Sequence, residues 1–217
     1  EWSLSSGPSS GYVLWGLAIN NTSSAGVTLE VPNFKVFGSV SLVNGILHTS
    51  DTYPIYTGHD DVMGTFNGGN YSITNPGPLS YIDGPCFHAN KSDNIQFKLF
   101  PVGKNGKYTP IWISSTGGAQ YKVEAFDTNT GTANTTNASN LSSERWKVER
   151  VDTGGNLSAY NVRLGSDLID ATKLIVHAAT ESGTYDIVST PASATNFTAG
   201  TPNTLQLASA QTSAGFL

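Results

Sequence analysis

The sequence predicts an all-β fold, an antiparallel β-sandwich or jelly-roll-like domain joined by Gly/Asn hairpins and almost free of helix. Two-residue alternation runs through most apolar segments, Asn-Gly and Gly-Gly pairs punctuate them, and helical periodicity is nearly absent. Ile95, Phe97 and Leu99 alternate with Gln96 and Lys98, and Tyr121, Val123 and Ala125 with Lys122 and Glu124. Tyr160, Val162 and Leu164 repeat the pattern, followed by Leu174, Val176 and Ala178 and then by Tyr185 and Ile187. A strand with one buried and one wet face requires this, because successive side chains leave opposite faces.

The turns follow the same logic. Asn44-Gly45 lies between Phe34–Val43 and Ile46–Tyr53, and Asn105-Gly106 between Ile95–Val102 and Tyr108–Ile113. Both centres of a type I′ turn need positive φ, so each pair predicts a tight hairpin. Gly68-Gly69 predicts a third, and Asp152 to Asn156 a looser fourth between Arg145–Val151 and Ser158–Leu164. One segment, Ser166 to Lys173, has the capping residues for two helical turns. The polar run Asp127–Ser143 reads as a long decorated loop within one domain spanning residues 11–217, with a domain boundary there as the alternative. The stretches starting at Phe97 and Trp146 resemble each other faintly, as ordinary hairpins do.

Residues 1–10, EWSLSSGPSS, read as an exposed leader. Behind it Tyr12, Val13, Leu14, Trp15, Leu17 and Ile19 make a strand apolar on both faces. Such a strand must be covered on both sides, either as a central strand of its own sheet or as one that completes a neighbouring molecule's sheet. The uncharged stretch from Leu205 to Leu217 also suits an edge.

Only 12% of residues are charged, about half the usual share, whereas Ser, Thr, Gly and Asn fill 90 of 217 positions. With 22 aromatic residues and a net charge of −5, the chain is neither coiled coil, disordered acidic tail nor nucleic-acid binder. No window approaches the ~18 apolar residues of a membrane span. Cys86 is the single cysteine, so no intrachain disulfide forms and the residue reads as a small buried apolar group. Acceptor sequences for N-glycosylation occur at Asn20, Asn21, Asn70, Asn90, Asn134, Asn137, Asn140, Asn156 and Asn196, nine where composition predicts about four. They point to an exported, extracellular or cell-surface chain whose export signal has been removed.

Chemistry-bearing groups are sparse. His48, His59, His88 and His177 lack metal-site spacing, although His48, His59, Asp61 and His88 converge if the hairpins stack. Cys86, His88 and Met63 have the wrong order for a copper site. Asp127-Thr128-Asn129-Thr130-Gly131 repeats alternate oxygens but lacks the closing carboxylate of a calcium loop. Among Glu30, Glu124, Glu144, Glu149 and Glu181 no glycosidase pair is defined, and no G-x-S-x-G is present. The expectation is therefore a non-enzymatic protein without cofactor or metal. For sugar contact, Tyr53, Tyr56, His59, Asp60 and Asp61 combine aromatic faces with polar groups.

The leading expectation is a structural glycoprotein that assembles with itself into a filament, layer or shell, joined by N-terminal strand donation. A secreted carbohydrate-binding module is the first alternative, and a viral jelly-roll coat protein with accidental acceptor sites the second. Its partners are expected to be itself and glycans, not nucleic acid or a membrane.

Overall fold

Strand pairing through the first ninety residues is parallel, which two-residue alternation alone does not reveal. The computed structural model describes residues 12–58, 72–90, 97–115, 119–134, 140–151, 160–169, 172–188, 203–206 and 215–217. Strand β1 (Val13–Asn20) is followed by a short β2 (Val27–Thr28), and β3 (Phe34–Asn44) by β4 (Leu47–His48). β3 pairs in parallel with β1, and β4 with β2, so the chain has returned one strand spacing further along two ladders. β5 (Ile55–Thr57) and β6 (Ser72–Thr74) extend the first ladder, and β7 (Ile82–Asp83) the second. β8 (Cys86–Asn90) then pairs with β5. The result is a stack of coils in the manner of a parallel β-helix.

Asn44-Gly45 consequently forms a corner between the two ladders instead of a hairpin. Gly45 has φ of 90°, and a Cβ there would lie 2.4 Å from the Asn21 carbonyl oxygen of the coil beneath. The stacked corner therefore demands glycine for two reasons, backbone angle and contact. Where both residues of the pair do take positive φ, Asn105 at 49° and Gly106 at 81°, the tight hairpin forms as expected. It joins β10 (Gly103–Lys104) to β11 (Lys107–Tyr108). Gly68-Gly69 lies outside the described residues.

From β8 onward the pairing that builds the two large sheets is antiparallel. β13 (Ala119–Phe126), β15 (Arg145–Arg150) and β20 (Gly215–Phe216) complete an eight-stranded sheet that begins at β1. A second sheet has the order β19 (Asn203–Gln206), β16 (Tyr160–Ser166), β12 (Ile111–Ser115) and β9 (Lys98–Phe100). β15 and β16 belong to different sheets and so are not the two arms of the expected hairpin, whose turn at Asp152–Asn156 lies outside the described residues. Within the polar run 127–143, β14 (Thr132–Ala133) pairs in parallel with β18 (Thr184–Ile187), which in turn pairs with β17 (Val176–His177). No helix occurs among the described residues; Ser166 ends β16, and its hydroxyl accepts the Leu168 N–H in a turn.

The inner faces of the two large sheets share one core. Phe34, Ile55, Cys86, Val123 and Val148 form a continuous buried row across the first sheet. Ile111, Ile113, Val162 and Leu164 face them from the second. The Tyr121 and Tyr160 rings meet at 5.6 Å between the layers. The faces of β13 and β16 follow the expected alternation, but that of β9 is reversed. Phe100 is buried, while Leu99 pairs with Trp112 on the opposite face, because Ile111 rather than Trp112 fills the core. Cys86 is fully buried, and loss of water pushes its thiol up to about 12, the behaviour of an inert packing residue.

His88 is buried in this core, edge-on to Phe100. The Thr57 hydroxyl lies 2.8 Å from the Phe87 carbonyl, to which it donates, so it accepts from His88 Nδ1–H at 3.0 Å. Burial, with Lys98 nearby, lowers the imidazole pKa from 6.5 to about 3. The unfolded chain therefore binds a proton between pH 6.5 and 3 that the folded chain refuses. Stability contributed by neutral His88 is present above pH 6.5 and declines toward pH 3, by an amount on the order of 4 kcal/mol. Urea titrations across this range should show a shallower loss in His88→Leu than in the wild type; equal slopes would refute the assignment.

Candidate assembly interface

Strand β1 carries the sequence VLWGLAIN, without a charge or a proline, and takes its place at the edge of the eight-stranded sheet. The central position anticipated as one way to cover it is therefore occupied by β3 instead. Its inner edge is bound to β3, beginning with the Lys35 N–H donated to the Tyr12 carbonyl at 2.7 Å. Among the described residues no strand lies on its outer edge, and none lies beyond β2 on the second ladder. The first coil as a whole is thus an open end.

That end is apolar. Ile19 is buried and Leu17 half-buried, anchoring the strand, but Val13, Leu14 and Trp15 are exposed, Trp15 by 81%. No charged residue occurs from Tyr12 to Leu29. Edge strands of soluble proteins usually carry lysine, proline or an inward charge to prevent pairing with other chains. Here none of these is present on β1.

Trp15 is presented by a local irregularity. The register between β1 and β3 shifts between Leu14↔Val36 and Gly16↔Ser39, which leaves Phe37 and Gly38 together opposite Trp15. The Phe37 ring lies 6.1 Å from the indole. Gly38 passes so close that a Cβ would sit 2.3 Å from the Trp15 carbonyl oxygen. At the end of β1, Asn44 donates its Nδ2 to Asn20 Oδ1 at 3.1 Å, tying the first coil to the second.

At the opposite end of the same sheet, β20 is two residues long and pinned by Arg145. The buried guanidinium lies 4.7 Å from the Phe126 ring and 5.3 Å from that of Phe216, and pairs with Glu181. Beside β20 is a cavity of about 500 Å³ walled by Trp146, Leu164, Ile175, Tyr185 and Leu217. Exposed Leu168 stands at its lining, and Glu144 reaches it with its carboxylate accepting the Ser166 hydroxyl.

The remaining expected sites are dispersed. Of the glycan acceptors, Asn70, Asn137, Asn156 and Asn196 lie outside the described residues, and Asn90 closes β8. Asn21 and Asn134 spend their Nδ2 groups on Gly26 O and Asp186 Oδ1, each at 2.6 Å. Asn20 and Asn140 are exposed. Of the sugar-contact residues, Tyr56 stacks on Phe87 at 4.5 Å, Tyr53 is half-buried in a turn, and His59, Asp60 and Asp61 lie outside the described residues. His48 is 3.5 Å from Asp83 and far in function from buried His88, and no group of three metal-ligating side chains occurs among the described residues. Asn129 Oδ1 accepts the Gly131 N–H, so the Asp127–Gly131 stretch forms a turn of its own.

The carboxylates are matched by neighbours. Burial alone would raise Glu149, but Lys147 and Lys122 hold its pKa below the usual value. Glu181 pairs with Arg145, and Glu144 lies 3.9 Å from Lys107. Strand β1 was visible in the sequence as a doubly apolar run, though its place at an edge was not. The cavity was not visible, because its walls come from five separated segments. No protein-family model, curated protein or solved structure matches the chain.

Gly38→Val should displace β1 from β3, since the clash is with main chain. Expected outcomes are a destabilisation of about 1–3 kcal/mol by urea titration and faster proteolysis within residues 12–20. Unchanged protection of that segment would show that Gly38 does not hold the strand.

Proposed function

We propose that this protein is a non-enzymatic structural glycoprotein of the cell surface or extracellular space, whose copies assemble through the N-terminal strand. One observation carries the reading: an uncharged strand, apolar on both faces, forms an open sheet edge and exposes Trp15. A sheet edge offers a full ladder of main-chain donors and acceptors to a strand of another molecule, and burying Val13, Leu14 and Trp15 adds an apolar contribution. We read the antiparallel part as a sandwich, the rigid body that such a subunit needs.

The surface composition supports this. With charge so scarce, Ser, Thr and Asn must solvate the outside, and sugars at exposed Asn20 and Asn140 would add to them. Asn21 and Asn134, whose amides are already bonded, are left unmodified in this reading. Glycopeptide mapping of natively purified protein should find sugars at Asn20 and Asn140 and none at Asn21 or Asn134. Complete absence of attached mass would favour a coat protein over a surface glycoprotein.

Carbohydrate binding is a second reading, favoured by the stacked Tyr56–Phe87 pair flanked in register by Lys35 and Lys122 on the outer face. A glycan array without a signal removes it.

Val13→Lys combined with Trp15→Lys should leave the fold intact while reducing assembly at least tenfold, measured by light scattering and electron microscopy. Deletion of residues 1–19 should give a soluble, non-assembling chain. Undiminished polymers from either variant would eliminate the N-terminal strand as the junction.

A further inference from the structure

We propose that the cavity beside β20 receives residues 1–11 of a second copy, with Trp2 and Leu4 as its apolar anchors. This inference rests on the reading of a self-assembling subunit and names the acceptor for its N-terminal segment. The cavity walls are predominantly apolar, and Leu168, 51% exposed, extends that character toward solvent. Ligand-sized cavities of several hundred Å³ with this lining are where large apolar side chains anchor. The segment that precedes Tyr12 has two large apolar residues, Trp2 and Leu4, among serines, glycines and a proline. Spaced two apart, they leave an extended chain on the same face, so both can enter one cavity while the intervening Ser3 points away.

Reach decides which copy supplies the segment. From β1 to β20 the sheet order β1-β3-β5-β8-β13-β15-β20 crosses six strand spacings. At about 4.8 Å each, that is roughly 29 Å before the chain turns around the edge toward Trp146 and Leu164. The ten residues from Trp2 to Tyr12 span at most about 33–36 Å when fully extended. A chain's own Trp2 would therefore have only about 4–7 Å left at the far edge, and only if every residue were fully extended, with Tyr12 still bonded to Lys35. At this end of the sheet Phe216 exchanges main-chain hydrogen bonds with Ala178, which leaves the cavity rather than the β20 edge as the acceptor. A neighbour whose β1 approaches this end delivers the same residues without that stretch. The donor lies at one end of the sheet and the acceptor at the other, so the contact is head-to-tail and propagates from copy to copy.

The test uses the full chain. Trp2→Ser and, separately, Leu168→Glu should each weaken assembly at least tenfold by light scattering, with circular dichroism unchanged. Leu168 is exposed, so its replacement leaves the core intact. Under mild oxidation, a mixture of Leu4→Cys and Leu168→Cys chains should yield an intermolecular disulfide, since Cys86 is buried and does not compete. A Trp2→Ser chain that assembles like the wild type overturns the proposal. So does an intrachain disulfide in a chain carrying both cysteines. If Trp2→Ser assembles normally while Val13→Lys/Trp15→Lys does not, the cavity is excluded but the strand junction stands. A wild-type chain that stays monomeric under all conditions removes both.

Discussion

A β-strand must pair its main-chain groups on two sides, and the structure depends on how that requirement is met along one sheet. The coil stack satisfies it internally, each new coil being laid on the last through the two ladders from β1 and β2 to β8 and β7. At one end the stack is closed, because β8 pairs with antiparallel β13 and the ladder continues into β15. At the other end nothing among the described residues closes it. An uncapped coil is unusual in a protein that stays alone in solution, since terminal repeats of solenoids generally present a polar outer face. The Tyr12–Leu29 coil presents valine, leucine and tryptophan.

The two halves of the chain solve different problems. Antiparallel strands β13, β15, β12 and β16 bury one face each and form the rigid core with Phe100 and the coil residues Val36 and Ile55. Parallel coils provide length along the sheet, and their buried side chains, among them Val36, Val40, Leu42, Leu47 and Ile55, join the same core. The corner contacts make the coils rigid where they stack: Gly45 over Asn21, Gly84 over Thr49, and the Asn20–Asn44 amide pair. A firm first coil matters for association, because a template that is already ordered costs little entropy to use.

Much of the fold class was legible in the sequence because side-chain alternation is the same for every strand. Tyr121, Val123 and Ala125 read correctly as an inward face, as did Tyr160, Val162 and Leu164. Pairing direction was not legible, since alternation carries no information about it. Asn44-Gly45 looked like Asn105-Gly106 in sequence, yet only the latter has positive φ at both residues; the former serves a corner between ladders. Strand β9 misled for another reason. Phe97, Leu99 and Phe100 include neighbours of opposite parity, and the core took Phe100 to match Ile111. Strand β1 was legible as a doubly apolar run, but its place at an edge depends on three parallel pairings with no sequence signal. The cavity depends on Trp146, Leu164, Ile175, Tyr185 and Leu217, positions that only tertiary packing brings together.

Scarcity of charge then takes on a specific meaning. From Tyr12 to Ser50 the chain has two charged residues, Glu30 and Lys35, whereas the outer face of β13 and β15 carries a matched network. There Lys122 bridges Asp51 at 2.6 Å and Glu149 at 3.4 Å, and Lys147 holds Glu149 at 2.8 Å. Exposed pairs of this kind contribute little stability, but they keep a surface wetted and unsuited to strand addition. The same sheet is thus charged over its middle and bare at its β1 edge. In the proposed assembly, such a distribution would direct contact to the end of the sheet and away from its face. Because the two ends of the sheet differ, one an open apolar strand and the other a two-residue strand beside a cavity, like cannot pair with like as well as unlike with unlike. In the proposed assembly, association between different ends would not close on itself unless a rotation returned it, which would favour extended assemblies over dimers.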